Sequence, residues 1–337
     1  MTDVMRAVVW QGPSDMAMAD VALPGCAADE VLIRVDAASI CGSDLAGYKG
    51  SLGNRFPGQI MGHEIAGTVV EAASTDYANL VGTAVVVNPL ETCGACRACR
   101  TGFPQRCDEG RLIGVHRHGG FAEFVAARAS NVLPVPVGVP QTLSSLVEPL
   151  AHAFHDVRIA SSDGLPEELL IIGAGSIGIF ALLAAQAAGV SDLTVIEPDP
   201  GRQALAASLG AVAVGTSQEL EGRQFDVVME GVGLGVTRSV AVDRARRGGT
   251  VVLVGLAQPL SELGFMGAVV REIVLRGAFA YTPSDFDDAR AYLADRGLPP
   301  QIIIGTASLE SGPEVFARLG AGPQVSLKTV LVPSNAA

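Results

Sequence analysis

The stretch "ELLIIGAGSIGIFALLAAQAAG", residues 168–189, decides how the second half of the chain is read. An apolar run meets three glycines, Gly173, Gly175 and Gly178, and an uncharged run of helical length follows. The segment is long enough to cross a bilayer, which takes about 20 residues. A buried strand, a tight turn and a helix packed on a sheet have the same composition. The glycine spacing favours the buried reading. In a G-x-G-x-x-G array the first glycine makes the turn, the second admits a pyrophosphate to the backbone, and the third lets helix and strand pack closely.

Glu197 closes the next strand, "DLTVIEPD", nineteen residues beyond Gly178. A carboxylate there accepts hydrogen bonds from both hydroxyls of an adenosine ribose and repels a 2′-phosphate. The expectation is therefore NAD rather than NADP, held by Gly173, Gly175, Ser176, Ile177, Gly178 and Glu197. A glycine-rich turn that binds nothing is the plainer alternative.

Outward from this motif the rhythm is regular. "ELLIIGAG", "DLTVIEPD", "FDVVMEGVG" and "TVVLVGLA" read as strands, and "SIGIFALLAAQAAG", "PGRQALAASLG" and "TRSVAVDRARRGG" as helices. Apolar strands alternating with helices imply a parallel sheet covered on both faces. Upstream, short runs such as "MRAVVW", "EVLIRVDAA" and "GTAVVVNP", broken by Gly and Pro, read as a β-rich, partly barrel-like domain. After about residue 272 the pattern is mixed and ends in a strand, "SLKTVLVPS". The expected division is one domain from 1–150 plus 273–337, with 151–272 inserted between its halves. A length of 337 residues suits two domains, since single cores stop growing at about 250 residues.

Hydrophobic residues make up 49% of the chain and charged residues 17%, which excludes a disordered chain. The net charge of -12 disfavours nucleic acid and anionic membranes as partners. "MTDVMRAVVWQG" lacks a long apolar run and a cleavage site, so the expected location is cytoplasmic.

Four of the six cysteines, Cys93, Cys96, Cys99 and Cys107, fall in "CGACRACRTGFPQRC". Four thiolates so close along the chain close a tetrahedron around zinc and leave no position for water, which marks a structural site. Iron–sulfur ligation fits less well, given the x7 gap before Cys107 and the absence of a following Cys-Pro. Paired disulfides suit a cytoplasmic chain poorly, and a zinc knuckle for nucleic acid lacks aromatic and basic neighbours.

A second set is more dispersed: Cys41 in "SICGSDLAGYKG", His63 and Glu64 in "IMGHEIAG", and Glu148 in "LVEPLAHAFH". One thiolate, one imidazole and a carboxylate hold a zinc with an open position, the arrangement used for catalysis. Taken singly, a cysteine is more often a small core residue, and a histidine or glutamate a structural or solvated one.

With "CGSD", "GHEIAGTVVE", "CGACRACRTG", "GGFAEF", "EPLAHAFH" and "GAGSIG" in place, the chain resembles the zinc-containing medium-chain alcohol dehydrogenases over essentially its full length. Within them it looks most similar to the polyol, butanediol and threonine dehydrogenase branch. The fold this implies is α/β: a GroES-like β-rich catalytic domain with a structural-zinc lobe at 91–110, plus a Rossmann coenzyme domain with a doubly wound parallel sheet. The resemblance implies NAD and two zinc ions per subunit. It makes Cys41, His63 and Glu148 ligands of the catalytic zinc, with Glu64 interchangeable with Glu148. It assigns Ser43 to the substrate hydroxyl, Lys328 to the coenzyme pyrophosphate and Arg202 to the adenosine ribose.

Ala46 departs from the pattern, because many members carry there the histidine that ends a proton relay. The relay then ends at ribose hydroxyls and water, or uses another group such as His155, which reads equally as a core histidine. His152, His116 and His118 have no stronger claim. Arg55, Phe56, Tyr48, Phe279 and Tyr281 are expected neighbours of the pocket. The implied activity is zinc- and NAD-dependent oxidation of a secondary alcohol, polyol, cyclitol or sugar-like alcohol to the ketone. A threonine 3-dehydrogenase or other amino-alcohol dehydrogenase is the nearest alternative, and a non-catalytic NAD-binding scaffold is a further one. The family habit of pairing through the sheet edge suggests a homodimer or homotetramer.

Overall fold

The computed structural model describes residues 4–135, 137–322 and 325–334. It divides into two compact units, Met1–Glu148 with Phe286–Leu298 and Ile303–Ala337, and Pro149–Asp285 with Pro299–Ile302.

The first unit is built around the strand Glu30–Ser39, which pairs with Glu64–Ala72, Phe124–Arg128 and Lys328–Val332 in a seven-stranded sheet. Almost every residue of this strand is buried, and its Val, Leu, Ile and Ala residues, interrupted only by Arg34 and Asp36, supply apolar side chains to both faces. Val31, Ile33 and Val35 share a core with Ile65, Val69, Val85, Phe121 and Leu331. The C-terminal strand Lys328–Val332 pairs antiparallel with the end of Glu30–Ser39, placing Val330 opposite Ser39. Glu64 also lies opposite Ser39, on the other neighbouring strand. Residues far apart in sequence thus meet at one strand end.

The second unit holds a six-stranded parallel sheet in the order Val212–Val214, Asp192–Ile196, Glu168–Ile172, Phe225–Glu230, Ala245–Leu253, Val274–Gly277. The order reverses beside Glu168–Ile172, so the carboxyl end of that strand opens at a topological switch point. The turn there needs its glycines. Gly173 has a φ of 98°, and a Cβ on Gly178 would fall 1.8 Å from the carbonyl oxygen of Gly173. The helix Ser176–Ala188 follows and ends on Gly189 in the left-handed conformation. Among the described residues no helix is long and apolar enough to cross a membrane.

Two expectations need correction. Val274–Gly277 pairs with Ala245–Leu253, so the chain returns to the first unit at Phe286 rather than at 273. The helix read over "TRSVAVDRARRGG" stops at Arg244, and Ala245 begins the next strand opposite Phe225. Sheet pairing overrides helical propensity there.

Candidate active site and metal centres

The four-cysteine segment is held at its base by a two-stranded ladder, Leu90–Glu91 with Arg111–Leu112. A short helix, Arg97–Arg100, starts from Cys96, and a 3-10 turn, Pro104–Arg106, leads into Cys107. The sulfurs of Cys93 and Cys99 are 4.0 Å apart, those of Cys96 and Cys99 3.5 Å, and those of Cys107 and Cys93 3.5 Å. A tetrahedron with metal–sulfur bonds of about 2.3 Å has edges of about 3.8 Å, so the four thiols fit zinc as they stand. They are not disulfides. The backbone N–H groups of Ala95 and Cys96 bring the Cys93 thiol down to about 7, which favours the thiolate that zinc needs. Cys107→Ser is expected to lose this zinc and unfold the lobe, since the lobe has little apolar material of its own. Zinc content should fall by one ion per chain, and proteolysis should move to 93–107.

In the same unit, ligand atoms of Cys41, His63 and Glu64 lie within 4.8 Å of one another. Cys41 is the cap of the helix Gly42–Tyr48. Gly62, at a φ of 96°, turns the chain into His63, and any side chain at Gly62 would strike Phe121. Glu64 opens its strand and is fully buried. Its Oε1 accepts from Lys328 Nζ at 2.5 Å, and its Oε2 accepts from the Ser39 hydroxyl. Lys328 also donates to the Ile40 carbonyl at 2.9 Å. Burial pushes the Glu64 carboxyl up to about 8, against the pull of Lys328. Burial opposes ionisation of Cys41 as well, but His63 and Lys328 bring its thiol down to about 6. A low thiol, an imidazole and a carboxylate converging in a buried place are a donor set that fits zinc with an open position.

Glu148 lies at the start of the helix Val147–Ala160 and is buried, but it stands outside the group of three. Lys328 is placed against Glu64 inside the metal group. Ser43 is half-buried on the first turn after Cys41, and Ala46 follows one turn later. Asp44 of "CGSD" is a residue that sequence reasoning misses. It is fully buried, its Oδ2 accepts from the Cys41 backbone N–H at 3.1 Å, and its Oδ1 lies 3.4 Å from His63 Nδ1. The spacing of an acid three residues after a helix cap was the available signal. Ser39 gave none.

Of the expected pocket neighbours, Tyr48 and Tyr281 are core residues, 6% and 1% exposed, and the Tyr48 hydroxyl is spent on the Ser14 carbonyl. Phe56 and Phe279 are exposed, and Phe56 leans on the His118 ring. The Arg55 side chain is buried beside Asp44. His116 and His118 accept from the backbone N–H groups of Leu112 and Ile60. In the second unit His155 is buried 2.9 Å from Asp285, whose carboxylate also takes Arg158 and Thr282. That is the core-histidine arrangement. His152 lies 3.1 Å from Asp156, one turn along the same helix.

At the glycine turn, Glu197 Oε2 accepts from the Ala174 N–H at 2.8 Å and Oε1 from the Asp199 N–H at 3.0 Å. Ser176 and Ile177 begin the helix half-buried, and the Arg202 N–H is capped by Asp199. Glu230, which the sequence reading did not single out, is fully buried at the end of Phe225–Glu230. It binds the N–H groups of Val232 and Gly233 and the Thr237 hydroxyl.

Residues 27–137 match the alcohol dehydrogenase GroES-like domain, and residues 176–295 match the zinc-binding dehydrogenase domain. An L-threonine 3-dehydrogenase of Chelativorans sp. (strain BNC1) is 32% identical over 295 residues, which cover 83% of this chain and 85% of that protein. The chain belongs to the zinc-binding medium-chain dehydrogenases. A D-altritol 5-dehydrogenase of Agrobacterium fabrum is 28% identical over 94% of this chain and 91% of its own. The structure of acetophenone reductase from Geotrichum candidum in complex with NAD superposes with a TM-score of 0.89, at 26% identity and 98% coverage of both chains. This dehydrogenase therefore has a GroES-like first unit and a Rossmann-like second one, and acts as an NAD-dependent oxidoreductase on an alcohol or polyol-like substrate. Its two clusters have the composition of a structural and a catalytic zinc site.

Proposed function

We propose that this dehydrogenase oxidises the secondary hydroxyl of a threonine-like amino alcohol to the ketone, with NAD as hydride acceptor. The grouping of Cys41, His63 and Glu64 within 4.8 Å carries the reading of a catalytic metal site. Support for the amino alcohol comes from the L-threonine 3-dehydrogenase relative. A polyol, cyclitol or sugar-like alcohol is the second reading, favoured by the longer match to D-altritol 5-dehydrogenase. A scaffold without activity has no use for a second buried ligand set.

Bound zinc would lower the pKa of the substrate hydroxyl, and NAD would take the hydride. Cys41 and His63 would hold the metal with one of the two glutamates. Glu64 is tied to Lys328 and Ser39, so we assign Glu148 as the carboxylate that replaces it. Ser43 Oγ would receive the hydrogen bond of the substrate hydroxyl and pass the proton outward. Ala46 offers no group to take it, so the proton would leave through water or the coenzyme ribose. The test is NADH formation from L-threonine, 2,3-butanediols, sorbitol, altritol and inositols by the zinc-loaded protein. Turnover of threonine supports the first reading and turnover of a polyol the second. Silence across the panel with NAD bound would defeat both.

The coenzyme reading makes its own prediction. Glu197→Ala removes the carboxylate proposed to take both ribose hydroxyls. KM for NAD should rise by about 10- to 100-fold, the value of one to two charge-assisted hydrogen bonds. The preference over NADP should shrink with it. An unchanged NAD/NADP ratio would overturn the assignment.

For the oligomer we propose pairing of two copies through the open edge strand Val274–Gly277. The preceding helix, Phe265–Val270, exposes Phe265, Met266, Val269 and Val270. An apolar helix beside an unpaired edge of a parallel sheet is unusual on a lone chain. Sedimentation should give at least a dimer, and Val269→Glu should lower the mass to the monomer.

A further inference from the structure

Behind His63 runs a line of buried polar groups, all in the first unit. The Arg55 side chain is only 2% exposed. Its Nε donates to Met61 Sδ at 3.1 Å and its Nη1 to Asn54 Oδ1 at 3.0 Å. Among the described residues its Nη2 has no hydrogen-bond acceptor, and it points to Asp44 Oδ1 at 3.8 Å. That oxygen is also without a hydrogen bond, and it lies 3.4 Å from His63 Nδ1. One carboxylate oxygen thus stands between two nitrogen donors and is bonded to neither. Gly47 keeps the guanidinium there, because a Cβ at that position would fall 2.8 Å from Arg55 Nε.

The charges near His63 explain why the place matters. Cys41, Asp44, Glu64 and Glu148 are anionic when ionised, and Lys328 and Arg55 are the cations that face them. Lys328 is engaged by Glu64, which leaves Arg55 as the cation that faces Asp44. A buried carboxylate behind a ligating imidazole makes the imidazole a stronger donor and the metal less electron-poor. An opposite charge on the same carboxylate limits that effect.

We propose that Arg55 is a positioning residue for the catalytic metal, competing with His63 for Asp44 Oδ1 and limiting the charge that Asp44 passes through the imidazole. The proposal rests on Cys41 and His63 holding the catalytic metal. A role in folding alone would make Arg55 the counter-ion of Asp44 with no effect on the metal.

The experiment separates these. Zinc content of the purified protein comes first: one ion per chain instead of two would defeat the metal-site reading itself. With two ions present, zinc release to a chromogenic pyridylazo chelator is followed for the wild type, Arg55→Met and Arg55→Lys, next to the kcat/KM–pH profile. Without the guanidinium, the non-lobe zinc should leave about 10-fold more slowly, the scale of change seen when outer partners of metal ligands are altered. The acid limb of the profile should move to higher pH. Arg55→Lys, which keeps the charge, should resemble the wild type in both. Unchanged release and profile in Arg55→Met, or equal changes in Met and Lys variants, would overturn the proposal. If Arg55→Met does not fold, Gly47→Ala crowds the guanidinium off Asp44 and should slow release in the same direction. Wild-type release from Gly47→Ala would then overturn it.

Discussion

His63→Ala should lower zinc content from two ions to one per chain and reduce kcat/KM by about 10³-fold or more, the rate equivalent of several kcal/mol of metal catalysis. The remaining ion should be the one held by Cys93, Cys96, Cys99 and Cys107, whose ladder and turns share no residue with the Cys41 cluster. NAD binding should be unchanged, because the glycine turn and Glu197 belong to the second unit. That separation gives the prediction its force. Loss of activity with intact coenzyme affinity and an intact lobe locates the defect in the metal group. Asp44, fully buried and left without His63, retains Arg55 as a partner, so the variant should fold. Turnover near the wild-type rate in protein holding one zinc would sink the catalytic reading of the Cys41–His63 metal site.

What could be read from the sequence follows from how local each feature is. Gly173, Gly175 and Gly178 each do a backbone task within six residues, so their spacing carries the message whatever surrounds them. The four lobe cysteines likewise meet within one short loop, and their sulfurs reach zinc-like separations without help from the rest of the chain. The parallel sheet is legible because its central strands are apolar on both faces.

Contacts made across the sheet were not legible. Nothing near Lys328 in sequence announces Glu64, 264 positions away, because strand register brings them together. Tyr48 and Tyr281 look like pocket residues by chain position, yet both are core. The Tyr48 ring packs 5.6 Å from Phe316, on a helix of the C-terminal segment. The boundary after residue 272 was misplaced for a related reason. Val274–Gly277 is a short strand of mixed burial, so its membership of the parallel sheet depends on pairing rather than on its own pattern. Glu64 and Glu148 could not be ranked by spacing, since each stands in a motif with an equal claim. The structure groups Glu64 with Cys41 and His63 and leaves Glu148 outside.

Above about pH 8, where Glu64 is ionised, Lys328→Met should destabilise the first unit by about 3–5 kcal/mol, the usual cost of removing one partner from a buried ion pair. The Lys328 side chain is 2% exposed and the Glu64 side chain fully buried, so water cannot replace the lost partner. The Ile40 carbonyl loses its donor too. The effect should depend on pH, with a definite sign. Burial already pushes the Glu64 carboxyl up to about 8 with Lys328 present, and removal of the ammonium raises it further. A carboxyl whose folded pKa lies above its unfolded value contributes full stability below the unfolded pKa and loses it as pH rises through the folded one. The deficit of the zinc-depleted variant should therefore be smaller at pH 6, where Glu64 is protonated, and grow toward pH 9. Trp10, the single tryptophan, is buried in the first unit, so its fluorescence in urea reports on this unit. Adding Glu64→Gln to Lys328→Met should recover most of the loss and flatten the pH dependence, because a neutral amide needs no counter-ion. A single variant within 1 kcal/mol of the wild type across this range, on the scale of an exposed pair, would mean that the Glu64–Lys328 contact is not the pillar of the site that its burial indicates.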